Sequence, residues 1–320
     1  MTPATSQKSK DEAIIKALCY ADIFSFPLTL EEIVRFAPEV RMTVDEAKQR
    51  LERGRKLGRV VRKNTRMYYL DGRESNCSVR GSREAVSRKK LEIALRRLIP
   101  LQGIPFLRMA LVTGALAAFN SPEGDDVDLL VISAPRRIWT TYLFLRIWRL
   151  FGHNPDICFN MFLSEEDLEL KGKGQNFFYA REILGGIRVF DETGSFQRFL
   201  DSNRWVFDFF PSYFADEERL GFSIGRSPRW RRRQSRLERL LSGPLGDLLE
   251  YAARKTQYRQ MVKSTPGAAR RMGPTRIMLH KSDNRPPILN RYEQNVRHWL
   301  GKYEQPMKKE KKAKKGSAGS

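Results

Sequence analysis

The chain has 320 residues, with 59 Lys and Arg against 37 Asp and Glu and a formal net charge of +22. Hydrophobic residues at 41% and charged residues at 30% are enough to build real cores, and they exclude wholly disordered, collagenous and disulfide-scaffold chains. Residues 201–320 carry 27 basic and 12 acidic side chains, so the excess gathers in the last third, as expected of a chain that meets a polyanion.

Cys19, Cys77 and Cys158 lie far apart, which fits a reducing compartment and no disulfide framework. His153, His280 and His298 form no paired metal-ligand spacing. The first residues lack the apolar run of a secretion signal, and the most apolar windows are broken by Arg108 and Arg146. The expectation is a cytoplasmic protein with no transmembrane segment.

Residues 1–10 are polar and read as disordered. From Asp11, Ile14, Ile15, Leu18 and Cys19 form an apolar stripe at helical spacing. Thr29-Leu30-Glu31-Glu32 and Thr43-Val44-Asp45-Glu46 are capping boxes that open two more helices. The third helix runs to about Lys56. Val60–Lys63 and Arg66–Leu70, joined at Asn64-Thr65, read as a β-hairpin. Three helices and a hairpin over residues 11–73 are the order of a winged helix-turn-helix. In a DNA-binding version Arg50 and Arg53 would enter the major groove, and Arg62 and Lys63 would meet phosphates from the hairpin. Residues 74–103 read as a polar linker, over 74–82, followed by an amphipathic helix.

Residues 104–200 hold the candidate chemistry. Met109–Thr113 reads as a buried strand, Gly114 as a tight turn into a short helix, and Leu129–Ile132 as a second buried strand. Asp126 and Asp128 stand two apart at the head of that strand and therefore project to one face. Two like charges at that spacing call for a cation between them, and Mg²⁺ characteristically takes one or two carboxylates plus substrate phosphates. The turn at Thr113, Gly114 and Ala115 would offer backbone N–H groups to a polyphosphate.

In these residues the chain resembles the nucleotidyltransferase superfamily, the polymerase β-like fold, whose signature is a Gly-Ser turn followed by Asp-hydrophobic-Asp-hydrophobic. Thr113-Gly114-Ala115 and Asp126-Val127-Asp128-Leu129 match it in order and spacing, with Ala115 where the family has Ser. Residues 11–210 also look like a group of uncharacterised nucleotidyltransferase-domain proteins with an N-terminal winged helix. The resemblance implies a third carboxylate on a neighbouring strand. Asp156, opening a strand-like run to Phe162, is the first candidate, and Glu182, on a helix, the second.

Residues 201–300 read as helices. Arg226 to Arg236 put six arginines, Arg231, Arg232 and Arg233 among them, beside Trp230; arginine forks suit phosphates and the indole suits a base, unless it is core. Residues 301–320 read as a disordered Lys-rich tail. The fold expected is α+β: an N-terminal winged helix-turn-helix, a central nucleotidyltransferase α/β domain with a small mixed sheet, and a helical basic C-terminal region. The function expected is Mg²⁺- (or Mn²⁺-) dependent transfer of a nucleoside monophosphate from an NTP to a hydroxyl. The alternative is a non-catalytic scaffold that binds DNA or RNA through the winged helix and the basic C-terminal region. No protein partner is readable.

Overall fold

The computed structural model describes residues 3–152, 154–214, 221–264, 272–279 and 285–306. The chain is α+β. It begins with α1 (Pro3–Asp22), α2 (Leu30–Arg35) and α3 (Val44–Arg53), followed by the antiparallel hairpin β1 (Val61–Asn64) and β2 (Met67–Leu70). Both capping boxes form: the Thr29 and Thr43 hydroxyls accept from the Glu32 and Glu46 amides, and each glutamate reaches back to the cap amide. Leu28 bridges to Tyr68, so the segment between α1 and α2 extends the hairpin by one rung. Ile14, Ile15, Leu18, Leu28, Ile33, Leu57 and Leu70 fill this core and are almost wholly withdrawn from water. Burial of each large apolar side chain stabilises by about 1.5–3 kcal/mol.

Two expectations need correction here. α1 starts at Pro3, ahead of the apolar stripe from Asp11. The polar stretch 74–82 is not a linker but belongs largely to α4 (Asn76–Leu98). Its polarity hides an anchor, because Arg80 is buried against Glu32 at 2.6 Å and lies over the Phe26 ring.

After α4 come β3 (Leu107–Val112), α5 (Gly114–Ala117), β4 (Val127–Ser133), α6 (Ile138–Phe151), β5 (Ile157–Ser164), α7 (Phe177–Gly185), β6 (Ile187–Asp191), α8 (Ser195–Ser202) and α9 (Val206–Phe209). The C-terminal third adds α10 (Pro228–Leu240), α11 (Pro244–Ser264), β7 (Arg276–Met278) and α12 (Arg285–Glu304). The strands form one mixed sheet in the order β6-β3-β4-β5-β7. β3 is antiparallel to β4 and β6, β4 is parallel to β5, and β7 is antiparallel to β5.

The alternation of β4 divides two cores. Val127, Leu129 and Val131 join the core that includes α4, α6 and α11 residues, whereas Leu130 and Ile132 join the one that includes residues of α7 and α8. By the same period of two, Asp126 and Asp128 belong to the α7 side.

The C-terminal third does not stand apart as a helical region. β7 completes the sheet, and α12 continues past residue 300 to pack Trp299 and Tyr303 into the N-terminal core. Among the described residues no helix is long and apolar enough to cross a membrane. The lysine-rich segment 307–320 lies outside the described residues.

Candidate active site

The site forms where β3 ends and β4 begins. The Thr113 amide donates to the Asp128 carbonyl at 2.9 Å, which locks the end of β3 to the head of β4. Gly114 follows in the left-handed region at φ +69, and a Cβ there would sit 3.1 Å from Asp128 Oδ2. Glycine is therefore required twice over, by its backbone conformation and by the close approach of the carboxylate. The glycine turn and the carboxylate strand, fourteen residues apart in sequence, meet directly.

Asp126 is exposed, while Asp128 is half-buried. Burial pushes the Asp128 carboxyl up to about 6, against a hydrogen bond from Asn160 and with help from the neighbouring charges of Asp126 and Asp125. Asn160 reaches Asp128 because β5 carries a bulge: Leu129 pairs with Phe159 and Leu130 with Met161, so one residue is left over and re-aimed. Cys158 points to the same end and donates its thiol to Asp126 Oδ2 at 3.2 Å. Burial first, and then the Asp126 carboxylate, pushes that thiol up to about 11.

Asp156 does not join this group. Its carboxylate takes both terminal nitrogens of Arg97, at 2.7 and 2.5 Å, and Arg97 also holds Asn154. The guanidinium holds Asp156 below its usual range. The side chain expected as the third acid is thus a strut between α4 and the start of β5. Glu182, the second candidate, is the one that comes close: on α7, it accepts the Gly114 amide at 2.9 Å. Burial raises its carboxyl, and the charge of Asp128 adds to the rise.

That bond also corrects the reading of the turn. α5 is a single turn of four residues, and the Gly114 N–H expected for phosphate is held by Glu182. An incoming polyphosphate must displace a carboxylate there. Ala115 adds no hydroxyl.

A cavity of about 410 Å³ opens from this polar end. Thr113, Gly114, Asp128, Asn160 and Glu182 line one side of it, and aromatic side chains such as Tyr20, Phe36 and Phe178 line the rest together with aliphatic residues, Arg181 and Arg285. Arg181 lies over the Phe36 ring at 3.0 Å and Arg285 over Tyr179 at 5.0 Å, so the wall pairs cations with ring faces. Asn160, Lys90 and the aromatic walls carry no motif. Lys90, bonded to the Asp125 carbonyl, brings a positive charge from α4 to the acidic cluster.

The basic residues behave differently. Arg50 pairs with Asp11 at 2.9 Å, and Asp11 also accepts the Tyr303 hydroxyl from α12. Arg62 binds Asp71 and the Gly58 carbonyl, and Lys63 lies over the Tyr68 ring. Arg231 pairs with Glu192. Trp230 packs on Gly103, where an added Cβ would sit 2.6 Å from the indole, so its ring is a structural contact rather than a stacking platform. Arg53, Arg232 and Arg233 are exposed.

The donor set suits a divalent cation. Asp126 and Asp128 supply hard oxygens, and the burial and neighbouring negative charge that raise Asp128 are what a cation would offset. Among the described residues, no three His, Cys, Asp or Glu side chains gather into a metal-holding group. No protein-family model matches the chain, and no curated protein and no solved structure is significantly similar to it.

Proposed function

We propose that the chain is a magnesium-dependent nucleotidyltransferase of the polymerase β-like type, with a winged helix-turn-helix at its N-terminus, that moves a nucleoside monophosphate from an NTP to a hydroxyl. The observation that supports this most directly is the approach of Asp128 to Gly114, which puts the carboxylate strand against the glycine turn. Asp126 and Asp128 would hold the metal. When bound, Mg²⁺ or Mn²⁺ supplies positive charge to the α-phosphate and the leaving pyrophosphate. Glu182 takes the place expected of Asp156: it lines the cavity, and a carboxyl raised by burial accepts a proton more readily at neutral pH.

The test is thermal stability with each of the four NTPs, with and without Mg²⁺, on wild type and on Asp126→Ala/Asp128→Ala. At a hundredfold excess over Kd, a bound nucleotide stabilises by about 2.7 kcal/mol. A Mg²⁺-dependent rise for at least one NTP, lost in the double variant, is the expected result. No rise with any NTP sinks the reading.

One observation favours the second reading, a non-catalytic scaffold that binds nucleic acid. Glu182 already occupies the Gly114 amide, and Ala115 lacks the phosphate-binding hydroxyl. On that reading Arg53, Arg232 and Arg233 carry the contact. Binding of a single-stranded RNA or duplex DNA oligonucleotide would weaken steeply with salt, with no turnover of NTP.

A further inference from the structure

Helices α10 and α11 carry ten basic and three acidic side chains. The rest of the chain engages all three acids. Glu238 accepts the Phe106 amide and pairs with Arg108, and Asp247 pairs with Arg137. Glu250 accepts the Trp139 and Thr140 amides at the start of α6. Of the ten basic side chains, Arg231 pairs with Glu192. The other nine are exposed and have no acidic partner among the described residues. The two helices therefore present an unmatched positive charge to solvent.

The same helices expose apolar side chains. Ten large apolar side chains stand exposed among the described residues, and four of them fall between positions 240 and 251. Leu240, Leu245, Leu248 and Tyr251 are each more than half exposed. A single exposed leucine is ordinary, but a group gathered around one helix-to-helix turn marks a contact surface. Helical spacing sets the order of the two kinds of side chain. Trp230, Gln234 and Glu238, four apart, hold α10 to the molecule through Gly103, the Ile104 and Leu107 carbonyls, and Arg108. Arg232, Arg236 and Leu240, also four apart, fall on the opposite side. On α11, Ala253, Gln257 and Met261 are buried, so Tyr251, Lys255 and Arg259 run along the outer side. Lys255 lies over the Tyr251 ring at 5.8 Å. The chain thus passes from an arginine row through an apolar turn to a second basic row.

We propose that this face docks on an anionic membrane surface, with the leucines of the turn entering the boundary between headgroups and acyl chains. Basic side chains lay their stems along apolar surface and keep their charged heads at the lipid phosphates, and the arginine fork fits phosphate oxygens. Charge decides against a second copy of the chain, which would bring the same positive excess to the contact. The leucines decide against a polynucleotide, which would meet the arginines and leave Leu240, Leu245 and Leu248 in water. The contact is superficial, because among the described residues no helix is long and apolar enough to cross a membrane. The inference is independent of the nucleotidyl-transfer reading: no residue of the β3–β4 site takes part in it.

The experiment is co-sedimentation of the full chain with vesicles of equal parts phosphatidylcholine and phosphatidylserine, beside vesicles of phosphatidylcholine alone. Wild type should pellet with the first and not with the second, and added KCl should weaken the binding. Arg232→Gln/Arg236→Gln should weaken it by about thirtyfold, the factor for two basic residues at an anionic surface. Leu245→Ser/Leu248→Ser should weaken it by about tenfold or more with the net charge unchanged. Leu240→Ser/Tyr251→Ser repeats that test where the first pair does not keep the wild-type melting temperature. The Lys-rich segment 307–320 is present in every variant, so its attraction is common to all of them. Binding that survives undiminished in a folded leucine variant reduces the face to plain charge and overturns the proposal. Equal pelleting with neutral vesicles overturns it, as does no pelleting with either kind. A single-stranded RNA oligonucleotide that binds through Arg232 and Arg236 while the vesicles do not gives the face to a polynucleotide. A dimer lost in Leu245→Ser/Leu248→Ser, again without vesicle binding, gives it to a second copy.

Discussion

The head of β4 and the N-terminal helical unit both concentrate charge, but they treat it in opposite ways. At β4, Asp125, Asp126 and Asp128 crowd together, and Asp128 is raised to about 6 because burial and its acidic neighbours outweigh the help it receives from Asn160 and Lys90. In the N-terminal unit several basic side chains have acidic partners. Arg50 is answered by Asp11, Arg62 by Asp71, Lys10 by Glu46 and Arg80 by Glu32. A charge the fold leaves uncompensated costs stability and persists where something else neutralises it, which marks a site. A charge matched inside the chain is architecture. By that measure the head of β4 is the candidate site, and on the predicted groove-reading helix Arg50 is a structural contact while Arg53 stays exposed.

The contrast can be broken at either end. The largest effect is expected at Arg80, whose guanidinium meets both Glu32 oxygens, the Pro27 carbonyl and the Phe26 ring. Arg80→Ala removes a buried guanidinium from the partly buried Glu32, itself part of the α2 capping box. A loss of about 3–5 kcal/mol is expected, read from the urea midpoint. If the variant unfolds at the wild-type midpoint, the paired charges of this unit are not structural.

Next in size is Asp128→Asn, with the opposite sign. An acid whose folded pKa lies above its unfolded value near 3.9 penalises the folded state once it ionises. The penalty is absent below the unfolded value, grows as pH rises toward about 6, and is fully present at pH 7.5. Removing the charge should therefore stabilise the chain by up to about 3 kcal/mol at pH 7.5 and by almost nothing near pH 3.5, while the Mg²⁺-dependent response to NTP is lost. A variant less stable than wild type at pH 7.5 would show that Asp128 is compensated like the arginines.

What could be read from the sequence followed how local each feature is. The strand, the left-handed glycine and the Asp126/Asp128 alternation depend on neighbours a few residues away, and the structure brings them together. The capping boxes at Thr29 and Thr43 were legible for the same reason. The α4 start was not, because the residue that holds its first turns, Arg80, finds its partner 48 positions earlier. Asn160 reaches the site only through a bulge, which no periodicity announces. The cavity joins residues from Tyr20 to Ile288, and Trp230 is spent on a glycine 127 residues away. Asp156 opens a strand at a plausible distance from Asp128, but Arg97, 59 positions before it, claims its carboxylate.

Asp156 therefore gives the smallest effect and the sharpest separation of the two kinds of carboxylate. Its side chain is 38% exposed and that of Arg97 32%, so solvent screens the pair despite its two-pronged geometry. Asp156→Asn should cost about 1 kcal/mol or less at pH 7. The sign is opposite to that of Asp128. Arg97 holds the folded pKa of Asp156 below its unfolded value, so the contribution is present above about pH 4 and disappears as pH falls through the folded value. Wild type and variant should then converge in stability in acid. In an NTP-transfer assay the variant should keep its activity while Glu182→Gln loses it, because Glu182 lines the cavity and Asp156 faces Arg97. Loss of transfer in Asp156→Asn at undiminished stability would return Asp156 to the site and make its pairing with Arg97 a resting arrangement that the reaction breaks.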